Sequence, residues 1–346
     1  MRDFKRILLS LGAVLIAFAV VSLAVIEPCL NNSREAYYCD SEVRGELAGT
    51  LDCLIIGSSE GLVAFDPAVI DEELSVHSYN LCGTLMTLGS TYYFLEKELE
   101  RNPVKTVVLE FSPSTLRERE ASYESGDIVT LRRLDSFGER WGFMLKHMDL
   151  EEWPYAYSVF FLNGLKYTKD SLLGHEIPDF LNDPTGEQVT KGAYFKPAMD
   201  ITLSKEEAEK VYATKAMSVD YPAECIKEYE GIIDLCKSHG VKVAAVYVPV
   251  ADSYNWKYAN QDEFEAFAEA FFDRLGCDYY NMNLYKGRFE LWNDRVSFNG
   301  EQHMSREGAT SFSKAFSDVW KADASEKDTY FFDDYSQMLQ YSPYRQ

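Results

Sequence analysis

Apolar residues in this chain fall into short dense runs, separated by polar stretches that carry helical spacing. Ile7 to Ile26 reads ILLSLGAVLIAFAVVSLAVI and holds no charge. It is long enough to cross a hydrocarbon core of about 30 Å. Residues 28–50 are polar. Leu51-Asp52-Cys53-Leu54-Ile55-Ile56 is then apolar and runs straight into Gly57-Ser58-Ser59-Glu60-Gly61. Such a run predicts a buried parallel strand entering a turn. LVAFDPAVIDEEL is amphipathic but interrupted by Pro67, which predicts a loop and short helix. Ser78 to Gly83 predicts a short strand and loop. Over 84–101, Leu85, Leu88, Tyr92, Leu95 and Leu99 repeat at helical spacing, and the helix should end near Arg101-Asn102-Pro103. Val104 to Phe111, VKTVVLEF, is β-branched and apolar, and Pro113 stops it.

Residues 114–215 are less regular, rich in aromatics and charges and broken by Pro154, Pro178, Pro184 and Pro197. They read as a mostly helical insertion or lid, with a separate domain as the alternative. The alternation then resumes. Ala223 to His239 predicts a helix stopped by Gly240. Val241 to Val248 predicts a buried strand, Asp262 to Leu275 a helix, Cys277 to Asn281 a short strand, and Ser305 to Trp320 a final helix capped by Ser305. Strands alternating with helices indicate an α/β protein with a parallel sheet and crossover helices. The acidic, aromatic tail after Ala322 shows no clear pattern.

Charge adds topology. Arg2, Lys5 and Arg6 precede the apolar segment and Glu27 follows it, which predicts a cytoplasmic N-terminus and an extracytoplasmic body. The apolar run exceeds the usual core of a signal peptide, favouring an uncleaved anchor; Ser22-Leu23-Ala24 leaves cleavage as the alternative. The net charge of −22 opposes nucleic-acid binding, which requires a basic surface. Of seven cysteines none forms a CxxC pair, and no paired histidine lies near them, so no metal site is expected. Cys53 and Cys82 lie in apolar contexts and should pack as small hydrophobes. Cys29 and Cys39 could pair if their compartment is oxidising. Asn31-Asn32-Ser33 fits the glycosylation pattern.

Two places carry candidate chemistry. Ser59 stands where a buried strand ends, the edge at which open parallel sheets place their ligands. Gly57 beside it lets backbone N–H groups approach a substrate oxygen. The alternative is a turn in which Ser59 caps the next helix. His303 precedes the last helix, and a histidine there can take a proton from a serine and return it to a leaving group. His77, His147, His175 and His239 show no ligand spacing, and His239 reads as a helix cap. Asp66 reads as a turn residue before Pro67. Trp141, Trp153, Tyr155 and Tyr157 are candidates for a sugar-binding groove or for core packing.

A strand-end serine early in the chain and a loop histidine before the last helix resemble the SGNH (GDSL-like) hydrolase superfamily. The resemblance rests on GSSEGLVAFDP and HMSREGATSFSKAF and covers about 50–113 and 223–320. The strand leading into GSS, then FDP, then VVLEFSP, is similar to members that modify cell-envelope polymers, in teichoic acid D-alanylation and exopolysaccharide O-acetylation. The resemblance implies a three-layer, flavodoxin-like parallel sheet with flanking helices. Together with the apolar segment, its flanking charges and the irregular middle region, it divides the chain into a cytoplasmic 1–6, an anchor 7–27, a stalk 28–50, an SGNH-like domain 51–322 with its insertion at about 114–215, and a tail 323–346. It implies Ser59 as nucleophile, Ser58 before it, Gly83 as an oxyanion donor, and Gly57 and Asn80 lining the substrate site. The family's acid lies three residues before the histidine, where this chain has Gly300; Glu301 is the expected substitute and Asp294 a more distant one. The family's third-block asparagine is absent, because VVLEF runs into Ser112-Pro113. The activity so implied is that of a serine esterase or O-acyltransferase without cofactor. Its partner would be an envelope polymer or acyl donor, with a membrane-bound O-acyltransferase as a possible companion. The alternative is a non-catalytic scaffold binding glycan or that membrane partner.

Overall fold

The five expected apolar runs supply one parallel sheet. Its strands are β1 (Cys53–Ile56), β2 (Ser78–Asn80), β3 (Thr106–Glu110), β6 (Lys242–Tyr247) and β7 (Asp278–Asn281), in the order β2-β1-β3-β6-β7. A two-residue antiparallel pair, β4 (Glu187–Gln188) and β5 (Tyr194–Phe195), stands apart from it. This computed structural model describes residues 2–26, 39–116, 126–154 except 132 and 135, then 156, 169, 173, 187–188, 191–323, 326 and 328–344. The chain divides into two units, one of Met1–Ser41 with Ala121–Asp183 and one of Glu42–Glu120 with Pro184–Gln346.

In the second unit, both faces of the central strands are buried, so β1, β3 and β6 read as continuous apolar runs rather than alternating ones. Ile55, Val108, Ala244 and Val246 pack with Phe65, Ile70, Phe312 and Phe316, supplied by the segment after β1 and by the final helix, Arg306–Lys321. Strand alternation sends Leu54, Val107 and Leu109 to the other face. There the Leu88–Arg101 and Ala223–Ser238 helices pack together. Phe111 meets Tyr229, Phe264 and Phe272 with ring centroids 5.1, 5.6 and 4.8 Å away. The Ala223–Ser238 helix ends as expected: Gly240 takes φ of +72°, a left-handed value that glycine adopts without a Cβ clash.

Register levels the carboxyl ends that matter. Ile56 of β1 pairs with Leu109 of β3, and Glu110 follows one step beyond. The direction of chain progression through the sheet reverses between β1 and β3, because β2 lies outside β1 whereas β6 and β7 follow β3. A crevice forms at such a point beyond the strand ends.

Two segments are more ordered than their composition indicated. Within the expected stalk, Cys39–Glu46 is a π-helix whose Val43 is 3% exposed. Within the tail, Phe332, Tyr335 and Met338 are buried against Leu284, and Ser342 Oγ donates to Asp252 Oδ2 at 3.1 Å. Three large side chains spaced three residues apart anchor this tail, two of them on the short helix Tyr335–Leu339.

In the first unit, Phe4–Ala24 is a helical segment long and apolar enough to span a membrane. The described parts of the insertion include the helices Gly126–Leu131 and Phe137–His147. Arg140 joins them by donating to the carbonyls of Leu131, at 3.0 Å, and Leu134. Trp141 and Trp153 pack edge to face with centroids 5.5 Å apart. Tyr155, Tyr157, His175, Cys29 and the Asn31 sequon lie outside the described residues, and with Cys29 the expected Cys29–Cys39 pair. Cys53, Cys82, Cys225, Cys236 and Cys277 form no disulfide among the described residues.

Candidate functional site

The serine turn begins where β1 stops. Ser58, not Ser59, caps the helix Ser59–Ala64: its φ is −85° and its Oγ accepts from the Glu60 N–H at 3.2 Å. Capping is thereby done by the neighbour, and the Ser59 hydroxyl is left for another partner. That partner is His303, whose Nε2 lies 2.9 Å from Ser59 Oγ across 244 positions of sequence.

The histidine sits on a tight loop. Asn299 N donates to His303 O at 2.7 Å and His303 N to Gly300 O at 3.4 Å, while Phe298 and Met304 bridge antiparallel. Gly300 turns the loop with φ of +100°. A residue with a side chain would be strained there, which explains why no carboxylate occupies that position. Ser305 then caps the final helix by accepting from Gly308 N at 3.2 Å. His239, as expected, caps its own helix, with Nδ1 3.1 Å from Leu235 O. Asp66 Oδ1 accepts from Ala68 N at 3.0 Å and caps the Pro67–Leu74 helix.

Glu301 does not orient His303, contrary to expectation. Its Oε1 accepts from Ser253 Oγ at 3.0 Å and its Oε2 pairs with Lys257. Its backbone carbonyl meanwhile accepts from Ala251 N at 2.8 Å, which ties the residue to the segment that carries Ser253 and Lys257. Asp294 is taken by the Tyr344 hydroxyl. Among the described residues no carboxylate bonds to His303. Burial, and then the positive charge of Lys196, hold the imidazole below its usual pKa. The ring is therefore neutral at pH 7 and able to accept the Ser59 proton.

Two further assignments need correction. The Gly83 N–H donates to Gly57 O at 3.0 Å and is spent on joining the two turns. Asn80, 1% exposed, spends its amide on Gly61 O, Leu62 O and Phe65 O at 3.1, 3.2 and 3.2 Å. Its Oδ1 accepts from Cys82 N at 3.1 Å. Asn80 thus ties down the end of the serine helix and offers nothing to a substrate. The Ser59 N–H, by contrast, makes no hydrogen bond among the described residues.

Glu110 went unnoticed in the sequence although it stands inside VVLEF, where a carboxyl must be buried. At the end of β3 it is 0% exposed. Its Oε2 accepts from Ser58 N at 2.6 Å and Gly61 N at 3.1 Å, and its Oε1 from Ser58 Oγ at 2.8 Å. Gly57 is glycine for this reason: a Cβ there would fall 2.3 Å from Glu110 Cβ. Burial, reinforced by the charge of Glu60, lifts Glu110 to about 7. Gly57 and Ser58 therefore shape the turn around a buried acid.

Among the described residues no three His, Cys, Asp or Glu side chains gather as a metal site would require. The geometry offers a nucleophile, a neutral base in hydrogen-bond reach and one unused backbone donor beside them. Compared with known proteins, the chain matches no protein-family model, and no curated protein sequence matches it.

Proposed function

We propose that the chain is a membrane-anchored, SGNH-like serine esterase or O-acyltransferase whose acceptor is a cell-envelope polymer. The observation that carries this reading is the 2.9 Å approach of Ser59 Oγ to His303 Nε2 at the end of β1. Strand order 2-1-3-6-7 supports the flavodoxin-like arrangement of that superfamily. Arg2, Lys5 and Arg6, gathered at the N-terminal end of the apolar helix, support a body outside the cytoplasm.

In the reaction, Ser59 Oγ attacks the carbonyl carbon of an ester while its proton passes to His303 Nε2. The Ser59 N–H faces the charge that develops on the carbonyl oxygen. Collapse breaks the ester C–O bond, and His303 returns the proton to the departing alcohol. The acyl-Ser59 so formed is attacked by water or by a polymer hydroxyl, whose proton His303 removes and hands back to Ser59. Water gives an esterase and the hydroxyl a transferase. A membrane-bound O-acyltransferase is a fitting source of the acyl group.

A second reading, a scaffold that binds glycan or a membrane partner without catalysis, draws on two observations. Among the described residues no carboxylate bonds to His303, and the Gly83 N–H is already used. The two readings separate in one assay on the full chain in detergent micelles. Catalysis predicts release of p-nitrophenol from its butyrate ester, and loss of that release in Ser59→Ala. Equal rates for parent and variant would remove Ser59 from the chemistry and leave the scaffold.

A further inference from the structure

Among the described residues no carboxylate orients the His303 ring, so another contact must fix His303 against Ser59. The residue before it supplies one. Gln302 Nε2 donates to Glu60 Oε1 at 2.8 Å and to the Tyr254 hydroxyl at 2.7 Å. Glu60 directly follows Ser59 in the helix and is 2% exposed. Its Oε1 also accepts from Ser114 Oγ at 2.7 Å, and Ser114 Oγ lies 2.7 Å from Ser112 Oγ. Ser112 Oγ reaches Glu110 Oε1 at 3.4 Å, and Glu110 grips Ser58 by backbone and side chain. Of the residues on either side of Ser59, Ser58 is thus held by the buried Glu110, and Glu60 is itself a buried carboxyl that holds the neighbour of His303.

We propose that Glu60 is a positioning residue that, through Gln302, locks the histidine loop onto the serine turn, with Glu110 bracing that turn from β3. This rests on the Ser-His reading above. Glu60 touches neither reacting atom. It acts by keeping Oγ and Nε2 in register, and misplacement of reacting groups by about 1 Å is enough to cost roughly 100-fold in rate.

The test uses the full chain in detergent, with p-nitrophenyl butyrate turnover and covalent labelling of Ser59 by a fluorophosphonate. Gln302→Met keeps the length of the side chain and removes the donor. It should slow labelling by about 100-fold and lower kcat with KM little changed. Glu60→Leu should do the same, and Glu60→Gln, whose amide oxygen still accepts from Gln302, should recover most of that loss. Folding is checked by thermal melting; Gln302→Ala replaces any variant that does not melt cooperatively. Labelling of Gln302→Met at the parental rate would overturn the lock, as would Glu60→Gln falling as far as Glu60→Leu. A parent that takes no label would instead overturn the Ser-His reading, and the lock with it.

Discussion

Lys196 places a positive charge near His303, and its effect has a definite sign. A neighbouring cation disfavours the imidazolium, so burial and Lys196 together keep the ring neutral to lower pH than an ordinary histidine. Catalysis by this base requires the neutral form. The acid limb of kcat/KM for p-nitrophenyl butyrate should therefore fall below the usual histidine value of about 6.5. Lys196→Met removes the cation and should move that limb to higher pH, while the plateau rate changes less. An unmoved limb would mean that another group controls it. The same residue-scale logic explains Gly57, which is required by the nearness of Glu110 rather than by the substrate.

The helix Arg306–Lys321 illustrates how an element sets a site it does not contain. Ser305 Oγ accepts from Gly308 N at 3.2 Å and also donates to Val296 O at 2.5 Å, so one hydroxyl starts the helix and closes the base of the histidine loop. Ser305→Ala should cost about 1 kcal/mol as a lost cap, seen as a lower urea midpoint at unchanged slope. Elements of this kind were legible. The central strands stood out because both their faces are buried, and Ser305 and Gly240 mark their helix ends by known chemistry. The serine turn was legible only in part. Ser58 and Ser59 are chemically alike, and which one caps depends on Ser58 meeting Glu110, 52 positions away.

At the scale of the whole molecule, one apolar N-terminal helix stands beside a strongly acidic chain of net charge −22. The proposed topology puts the body outside the cytoplasm. An epitope tag appended after Gln346 should then be stained by antibody on intact, unpermeabilised cells; staining only after permeabilisation would reverse the orientation. The tail bearing that tag is tied to the body, for Tyr344 packs on Trp256 with centroids 5.3 Å apart.

Sequence alone determined the apolar helix, the parallel α/β alternation, and Ser59 and His303 as the pair worth watching. The helix and the alternation follow from local pattern, because burial imposes a period and turns impose particular residues; the pair was singled out by the resemblance to the SGNH hydrolases. It did not determine the partners of that pair. Glu301 was near His303 in sequence yet turned toward Ser253 and Lys257, and Gly83 and Asn80 were absorbed in holding turns. Glu110, Gln302 and Lys196 entered the site from β3, the histidine loop and the segment after β5. Hydrogen bonds and charges act over a few ångströms of space, whatever the separation along the chain, so only the fold could decide which carboxyl served the histidine loop.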